Sequence, residues 1–234
     1  MLVDIALGNN KREMDIQARK LSASMGLMKA KLKTYLKSLE PAKVLSKYTT
    51  LFYKRSISEK ERGGTDFCIL DYNYTRTSMM YNSVDDDTIP IIHIHCEISR
   101  DENPLIFGFG DYHDKNYPRL EQANVDALLD NIKSVDYKLS KNYTHLKEYI
   151  EKDYFEVLLF GHSCGLSDRT TLNRIFNHRN CRSIKIFHYQ NKEGKSNYLQ
   201  LVQGILRHFP DKELFEDRVV PFNSEYRMPQ RDDD

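Results

Sequence analysis

Tryptophan is absent from the 234-residue chain, and cysteine, proline and glycine are scarce, at 4, 7 and 10 residues. No apolar run approaches the roughly 18 residues that a membrane-spanning helix needs, and the first residues lack the charged, apolar and small-residue order of a secretion signal. The cysteines lie far apart and form no C-x-x-C pair, which indicates neither a zinc knuckle nor a disulfide framework. We therefore expect a cytoplasmic protein with reduced, mostly buried cysteines and no membrane association.

Charge is unevenly distributed along the chain. Residues 1–62 carry 14 lysines and arginines against 6 acidic residues, whereas residues 63–234 carry 21 against 28. This change, together with Gly63 and Gly64, predicts a boundary after residue 62. We expect a basic helical segment over residues 1–62, a folded domain over 63–225 and a disordered tail over 226–234.

The basic segment has the pattern of a packing helix. Its apolar residues recur every three or four positions and form one seam, consisting of Leu21, Met25, Met28, Leu32, Tyr35 and Leu39. Pro41 begins a second predicted helix, which would complete a helical hairpin. Nucleic-acid binding is disfavoured because no aromatic residues alternate with the basic ones and no DNA-reading motif is present. The seam instead suggests self-association or a protein partner.

After Gly64 the pattern changes to short apolar strands that alternate with helices. The predicted strands cover residues 66–75, 89–98, 104–109, 155–160 and 183–189. A long helical stretch is predicted between the third and fourth strands, with one apolar face from Leu120 to Val135 and another that begins at Tyr143 and includes Ile150. A further helix begins at Asp168, whose carboxylate is expected to cap it. This alternation indicates an α/β domain with a mostly parallel sheet flanked by helices.

Polar motifs follow four of the predicted strands. They are NYT (73–75), HIHCE (93–97), GFGD (108–111) and GHSCGLSD (161–168). Since ligands of such sheets bind beyond the carboxyl ends of the strands, we expect the four motifs to share one rim. In the last motif, glycines would let the backbone approach a ligand, Ser163 would offer a hydroxyl, and the following helix would offer unpaired amides. Because Asp168 competes for those amides, ribose suits this turn better than phosphate.

The segment GHSCG also fits the nucleophile elbow of serine hydrolases. That mechanism needs an acid and then a histidine after Ser163, on loops that follow further strands. Only one convincing strand follows, and the candidates His178, His188 and His208 are poorly placed for it. A serine hydrolase that uses Ser163 is therefore the less favoured alternative.

Other polar residues have alternative interpretations. His93 and His95 are two apart and would point the same way from a strand, but a third metal ligand at diagnostic spacing is absent, so we predict no metal site. His95 alone is also typical of a buried histidine that donates to a carbonyl. Gly108 and Gly110 fit a phosphate cradle or a tight turn, and Asp111 fits a ribose ligand or the end of that turn.

Taken in order, these motifs resemble a known family. DYNYT, HIHCE, PLIFGFGD and VLLFGHSCGLSD match the F-N-Y-T, I-H-I-H-G, I-F-G-Y-G-D and G-H-S-L-G-x-S-D segments of the bacteriophage abortive-infection family AbiH. The resemblance covers about residues 66–189. The family is distantly similar to sirtuin-like, Rossmann-type NAD-binding domains. It therefore implies a Rossmann-like fold behind an N-terminal helical subdomain, a role in phage defence, and NAD as substrate or ligand.

The resemblance also implies the site. His95 would be the base acting on ribose, because a neutral imidazole can accept a hydroxyl proton near physiological pH, and Asn73 would position ribose or water. The implied nucleotide-binding residues are Thr75, Gly108, Gly110, Asp111, Gly161, Ser163, Gly165 and Asp168. A phage-derived trigger is the implied partner. The competing interpretation is a non-catalytic sensor or effector-binding protein with a degenerate nucleotide crevice.

Two positions depart from the family pattern. The usual H-G pair is His95-Cys96 here, which costs energy if the backbone of Cys96 must adopt a positive φ. The opening MLVDIALGNNKRE does not supply the family's first strand and its G-N-G-F-D loop. We expect the chain to lack that phosphate-binding loop and residues 2–8 to begin the helical insertion.

Overall fold

The computed structural model describes residues 2–7, 10–39, 66–81, 89–98, 105–108 and 110–229. The chain divides into two compact units, residues 1–146 and residues 147–234. The predicted boundary after residue 62 and the predicted helix from Pro41 lie outside the described residues. Within the described ranges, no helix is long and apolar enough to cross a membrane.

The first unit opens with two helices, α1 (Leu2–Ala6) and α2 (Lys11–Lys37). Helix α1 forms where the sequence predicted the start of a helical insertion. Asn10 caps α2, since its side chain accepts a hydrogen bond from the backbone N–H of Arg12 at 2.9 Å. Met14 and Ala18 of α2 are buried in a cluster with Val125, Ala127 and Leu128.

Helix α2 confirms the predicted helix, but the face it packs differs from the predicted seam. Leu21, Met25 and Leu32 are half-buried, whereas Met28, Tyr35 and Leu39 are exposed. The packed face includes polar residues instead. Lys29 Nζ lies 3.2 Å from Asp136 Oδ2, and Asn131 Nδ2 donates to Ser22 Oγ at 3.0 Å. The spacing of apolar residues predicts a helix, but it does not predict which polar residues of later segments pack against that helix.

The first unit contains a short parallel pair, β1 (Ile69–Asp71) and β2 (Ile91–His93), in which Asp71 is paired with His93. A 3-10 helix follows β1 at Arg76–Tyr81. Residues 105–108 form no strand, contrary to the prediction. They are held instead by two hydrogen bonds of Ile106, whose N–H donates to the His95 carbonyl and whose carbonyl accepts from the Tyr74 hydroxyl.

The helical stretch predicted after the third strand is confirmed over its second apolar face, which begins at Tyr143, but it is interrupted over its first, from Leu120 to Val135. The structure has α3 (Tyr117–Gln122), a 3-10 turn (Asp126–Leu128), α4 (Lys133–Asp136), a 3-10 turn (Tyr137–Leu139) and α5 (Asn142–Lys152). Asn124 and Asn131 interrupt the stretch with φ values of +51° and +61°. Asparagine tolerates this left-handed conformation, which cannot continue a right-handed helix.

The second unit is built on β3 (Phe155–Phe160) and β4 (Cys181–Phe187), which are parallel and joined through α6 (Arg169–Phe176). Helix α6 buries Leu172, Ile175 and Phe176, as predicted. Two further helices follow, α7 (Tyr198–Leu206) and α8 (Lys212–Arg218). The chain then returns beside β4, where Arg227 pairs with His188. Of the predicted tail, residues 230–234 lie outside the described part.

The α/β class and the parallel pairing are confirmed. The described residues form two separate two-stranded sheets, β1–β2 and β3–β4, where the sequence predicted one larger sheet. The first pair stays short because the chain turns directly after His93, and because residues 105–108 make side-chain and loop contacts instead of a ladder.

Candidate functional site

The carboxyl ends of β1 and β2 bring together Asp71 and His93. The two residues are register partners, and only 5% of Asp71 and 8% of His93 is exposed. His93 Nδ1 lies 3.6 Å from Asp71 Oδ2, which is longer than a hydrogen bond. Neither that carboxylate oxygen nor either ring nitrogen of His93 has a hydrogen-bond partner in the described part of the chain. Buried polar atoms without hydrogen bonds are rare and often mark a site.

Asn73 holds the other oxygen of the same carboxylate. Asp71 Oδ1 accepts from the Asn73 backbone N–H at 2.7 Å and from Asn73 Nδ2 at 3.0 Å. Asn73 is exposed, and its side-chain carbonyl accepts no hydrogen bond from a described residue. The predicted Asn73 therefore orients Asp71 while one acceptor remains open to a ligand. Thr75 hydrogen-bonds to the Thr77 hydroxyl at 3.0 Å.

His95 lies in a turn rather than in β2. The strand ends at His93, and the turn is closed by a hydrogen bond from the Cys96 N–H to the His93 carbonyl. The expectation that both histidines point the same way from one strand is therefore wrong. His95 is buried, with Nδ1 3.1 Å from the Tyr72 carbonyl and Nε2 3.3 Å from the Tyr137 hydroxyl. Because a carbonyl only accepts, Nδ1 carries the proton and Nε2 accepts from Tyr137.

Cys96 confirms the expected backbone cost. Its φ is +68°, its side chain is fully buried, and burial raises the pKa of its thiol. The position thus has the left-handed backbone that suits glycine better than cysteine.

The GFGD segment packs closely against neighbouring backbone. Gly108 has a φ of +146°, and a Cβ atom added there would lie 2.9 Å from the Asn131 carbonyl oxygen. Gly110 has a φ of +110°. Asp111 is buried, and its Oδ1 accepts from the His113 N–H at 2.8 Å. These contacts fit the tight-turn interpretation of both glycines and of Asp111.

In the second unit, the turn after β3 does not have the geometry of a nucleophile elbow. In an elbow the nucleophile itself occupies the strained position. Here the positive φ values belong to Gly161 (+60°) and Cys164 (+52°). Ser163 is exposed, and its hydroxyl makes no hydrogen bond to a described residue. Burial and nearby Asp168 raise the pKa of the Cys164 thiol to about 12, so Cys164 is not a thiolate at neutral pH.

Side-chain contacts of His162 and Asp168 stabilise this turn. His162 Nδ1 accepts from the Cys164 N–H at 3.0 Å, and its Nε2 lies 3.4 Å from Asp168 Oδ2. The Ser167 hydroxyl donates to the same carboxylate oxygen at 3.1 Å. The side chain of Asp168 makes no capping hydrogen bond to α6, so the predicted cap is wrong. Gly165 has an ordinary extended backbone, and its carbonyl accepts from the Asp168 N–H.

The far side of the turn packs on α7 and on the residues just after it. A Cβ atom at Gly204 would lie 2.7 Å from the Ser163 carbonyl oxygen. His208 Nε2 lies 2.8 Å from the Cys164 carbonyl oxygen, and its Nδ1 lies 2.9 Å from the Asn173 side chain. The imidazole of His208 is thus engaged by backbone and amide groups rather than by the Ser163 hydroxyl. No Ser-His-Asp triad forms among the described residues.

Comparison with known proteins concerns both the Asp71–His93 pair and the turn after β3. A family model described as bacteriophage abortive infection AbiH matches residues 8–190. The chain belongs to the AbiH family. No match was found among curated proteins or among solved structures. The AbiH match confirms the resemblance predicted from the motifs, and it includes both the Asp71–His93 cluster and the turn at 161–165.

Within this AbiH chain the predicted site residues fall into two groups. Asn73, Thr75, His95, Gly108, Gly110 and Asp111 belong to the first unit, and Gly161, Ser163, Gly165 and Asp168 belong to the second. The single rim expected for all of them stays a prediction. Three residues that the sequence analysis did not single out are Asp71, His162 and Tyr137. A signal existed for the first, since Asp71 opens the DYNYT motif at a strand end. In the described part of the AbiH chain, no group of three or more His, Cys, Asp or Glu residues could hold a metal ion.

Proposed function

We propose that this abortive-infection protein binds NAD or a related nucleotide at the carboxyl ends of β1 and β2 and cleaves its nicotinamide–ribose bond in the cytoplasm. The observation that supports this proposal most directly is the buried Asp71 carboxylate oxygen and His93 imidazole, which lack hydrogen bonds beside the exposed Asn73. A ribose presents adjacent hydroxyl groups that donate and accept, and these complement a carboxylate, an imidazole and an amide carbonyl. The proposal assumes the Rossmann-like sheet that the family resemblance implies.

The chemistry needs few groups. Cleavage of the bond develops positive charge on the sugar, which the Asp71 carboxylate and the Asn73 carbonyl oxygen would stabilise. One proton must leave the attacking water molecule, and a neutral imidazole is suited to accept it near pH 7. His95 is the base that the resemblance implies, and His93 is the other imidazole of the cluster.

The test is to incubate the purified full chain with NAD, to quantify released nicotinamide by chromatography and to measure NAD binding by calorimetry. We expect Asn73→Ala to lower turnover by about 10- to 100-fold, because it removes one of the two hydrogen bonds that orient Asp71 and the amide carbonyl that would stabilise the charge on the sugar. Ser163→Ala provides the second arm. If Ser163 contacts a ribose, as the resemblance implies, the change removes one neutral hydrogen bond and weakens binding by only about 3- to 10-fold. A wild-type chain that neither binds nor cleaves NAD or related nucleotides would overturn the proposal.

A non-catalytic sensor is the second candidate, and one observation favours it. His95 is buried and both of its ring nitrogens are engaged, so the base implied by the resemblance has no open lone pair. A sensor would bind NAD without releasing nicotinamide, and Asn73→Ala would weaken binding alone. Its phage-derived trigger, or a second copy of the chain, would contact the exposed seam residues Met28 and Tyr35 of α2 and Leu39 just after its end. Light scattering with and without Tyr35→Lys tests that contact.

The serine hydrolase is tested separately. A fluorophosphonate probe reacts with an activated serine, and we expect no adduct because no described base reaches the Ser163 hydroxyl. An adduct mapped to Ser163 by mass spectrometry would favour the hydrolase over both other functions.

A further inference from the structure

The two histidines of the segment 93–95 differ in what their ring nitrogens contact. His95 uses Nδ1 toward the Tyr72 carbonyl and Nε2 toward the Tyr137 hydroxyl. His93 is equally buried, but neither of its ring nitrogens has a hydrogen-bond partner among the described residues, and the Asp71 carboxylate lies 3.6 Å from its Nδ1. We infer that His93, oriented by Asp71, is the general base of this site and that His95 is a positioning residue. The inference rests on the proposed NAD cleavage.

Asp71 is held in the orientation that this role requires. Both hydrogen bonds from Asn73 go to Oδ1, which leaves Oδ2 facing His93 Nδ1 at 3.6 Å. A carboxylate beside Nδ1 favours the tautomer that carries its proton there, so the lone pair is on Nε2. The same carboxylate stabilises the imidazolium that forms after proton uptake, as the aspartate of a serine-protease triad does.

The backbone of His93 is also fixed. Its carbonyl accepts from Asn142 Nδ2 at 2.6 Å and from the Cys96 N–H at 3.0 Å. On the other strand its register partner is Asp71 itself. The imidazole is therefore carried by a strand end rather than by a free loop, which limits the reorganisation needed during catalysis.

A buried imidazole without hydrogen bonds also makes a binding partner favourable. Leaving such groups without hydrogen bonds is unfavourable, and a water molecule or a ribose hydroxyl at Nε2 would remove part of that cost. His95 gains nothing comparable, because a ligand at its Nε2 would first have to displace the Tyr137 hydroxyl.

The step balances with water as the only co-reactant. The water oxygen forms a bond to the ribose C1′ carbon as the C1′–nitrogen bond to nicotinamide breaks. The bonding electron pair leaves with nicotinamide, and one water proton passes to His93 Nε2. The imidazolium then releases that proton to solvent. The products are nicotinamide, ADP-ribose and one proton.

The experiment compares His93→Ala with His95→Ala in the full chain, using NAD hydrolysis, NAD binding and rescue by added imidazole. We expect His93→Ala to lower kcat by about 100-fold or more while retaining NAD binding, since general-base catalysis contributes roughly that much. Added imidazole should restore part of this activity. His95→Ala also loses activity, but imidazole should not restore it, because its loss disturbs the contacts with Tyr72 and Tyr137 rather than proton transfer.

Two further variants guard against misfolding. His93→Gln keeps the size of the side chain, and Asp71→Asn keeps both hydrogen bonds from Asn73 geometrically feasible while removing the charge. Both should bind NAD, and we expect Asp71→Asn to lower kcat by about 10-fold or more. Rescue of His95→Ala rather than His93→Ala would assign the base to His95. Substantial kcat in His93→Gln would overturn the inference alone, whereas a wild type without NAD hydrolysis would overturn the proposed cleavage and the base assignment together.

Discussion

At the scale of single residues, the positive φ of Cys96 strains the backbone beside the candidate site. In the described part of the chain, four non-glycine residues have positive φ, namely Cys96, Asn124, Asn131 and Cys164. Asparagine visits this region readily, but cysteine pays a steric cost of about 1–2 kcal/mol. Cys96 directly follows His95, in the turn that is closed by the hydrogen bond from the Cys96 N–H to the His93 carbonyl. The backbone strain therefore lies within the candidate site.

Replacement of Cys96 separates backbone strain from side-chain burial. Cys96→Ala and Cys96→Gly both remove the buried thiol, but only glycine relieves the positive φ. We expect Cys96→Gly to be more stable than Cys96→Ala by about 1 kcal/mol. Urea unfolding followed by circular dichroism measures the difference in the free energy of unfolding.

Cys181 provides the matched control. It is also buried but lies in β4 without a positive φ. There we expect the usual order, in which the glycine variant is less stable than the alanine variant by about 0.5–1 kcal/mol. The same order at both positions would show that strain at Cys96 is negligible.

At the scale of elements, helix α7 approaches the turn after β3 so closely that only glycine fits at the contact. A Cβ atom at Gly204 would lie 2.7 Å from the Ser163 carbonyl oxygen, which is backbone and cannot rotate away. We expect Gly204→Ala to lower the free energy of unfolding by about 1–3 kcal/mol, as overpacking does. Thermal unfolding measures this change.

Gly26 of α2 is the control for this prediction, because it is a helical glycine with nothing within 4 Å of an added Cβ atom. Gly26→Ala should raise the free energy of unfolding by about 0.5–1 kcal/mol through helix propensity. If Gly204→Ala were equally stabilising, α7 would have room to move away from the turn.

The helices and strands also show how much of the fold the sequence could predict. Apolar periodicity located α2, α6, β3 and β4, because each has one face that meets a core. It failed between Leu120 and Val135, where the left-handed backbones of Asn124 and Asn131 interrupt an otherwise helical pattern. Nothing in the spacing of apolar residues signals a backbone of that kind, and asparagine also occurs inside helices.

The candidate site was predicted in part for a similar reason. Asn73 and His95 were predicted because they are polar residues at the carboxyl ends of predicted parallel strands, where ligands of such sheets bind. Which imidazole has open nitrogens depends on distant residues, because the partner of His95 Nε2 is Tyr137, 42 positions later. Asp168 shows the same limit, since its carboxylate turns toward His162 and Ser167 instead of capping α6.

At the scale of the whole molecule, buried histidines link stability to pH. His188 is fully buried beside the rings of Tyr198 and Phe222, and neither of its ring nitrogens completes a hydrogen bond within the described part. Burial lowers the pKa of His188, outweighing an opposing effect of the Ile186 backbone. Burial likewise lowers the pKa of His208. Both imidazoles are therefore neutral in the folded chain at pH 7.

The sign of the pH dependence follows from these lowered pKa values. The unfolded chain takes up protons at these histidines near the ordinary pKa of about 6.5, whereas the folded chain does so only at lower pH. As the pH falls below about 6.5, the free energy of unfolding decreases by up to about 1.4 kcal/mol per pH unit for each group. The loss ends where the pH reaches the lowered pKa of the folded state. Above about pH 7.5 these groups should contribute no slope.

Replacing His188 with leucine should remove its share of this slope. At pH 7.5 we expect His188→Leu to change the free energy of unfolding by less than about 1 kcal/mol, because two nitrogens without hydrogen bonds are replaced by apolar atoms. Between pH 6.5 and 5.5 the variant should lose less stability than the wild type, as measured by urea unfolding at each pH. Leu201→Ala, which shortens a buried side chain of α7 without removing a titrating group, should instead lower stability by about 2–4 kcal/mol at every pH, giving a parallel profile. A profile for His188→Leu parallel to that of the wild type would mean that the folded chain accommodates a protonated His188 without penalty.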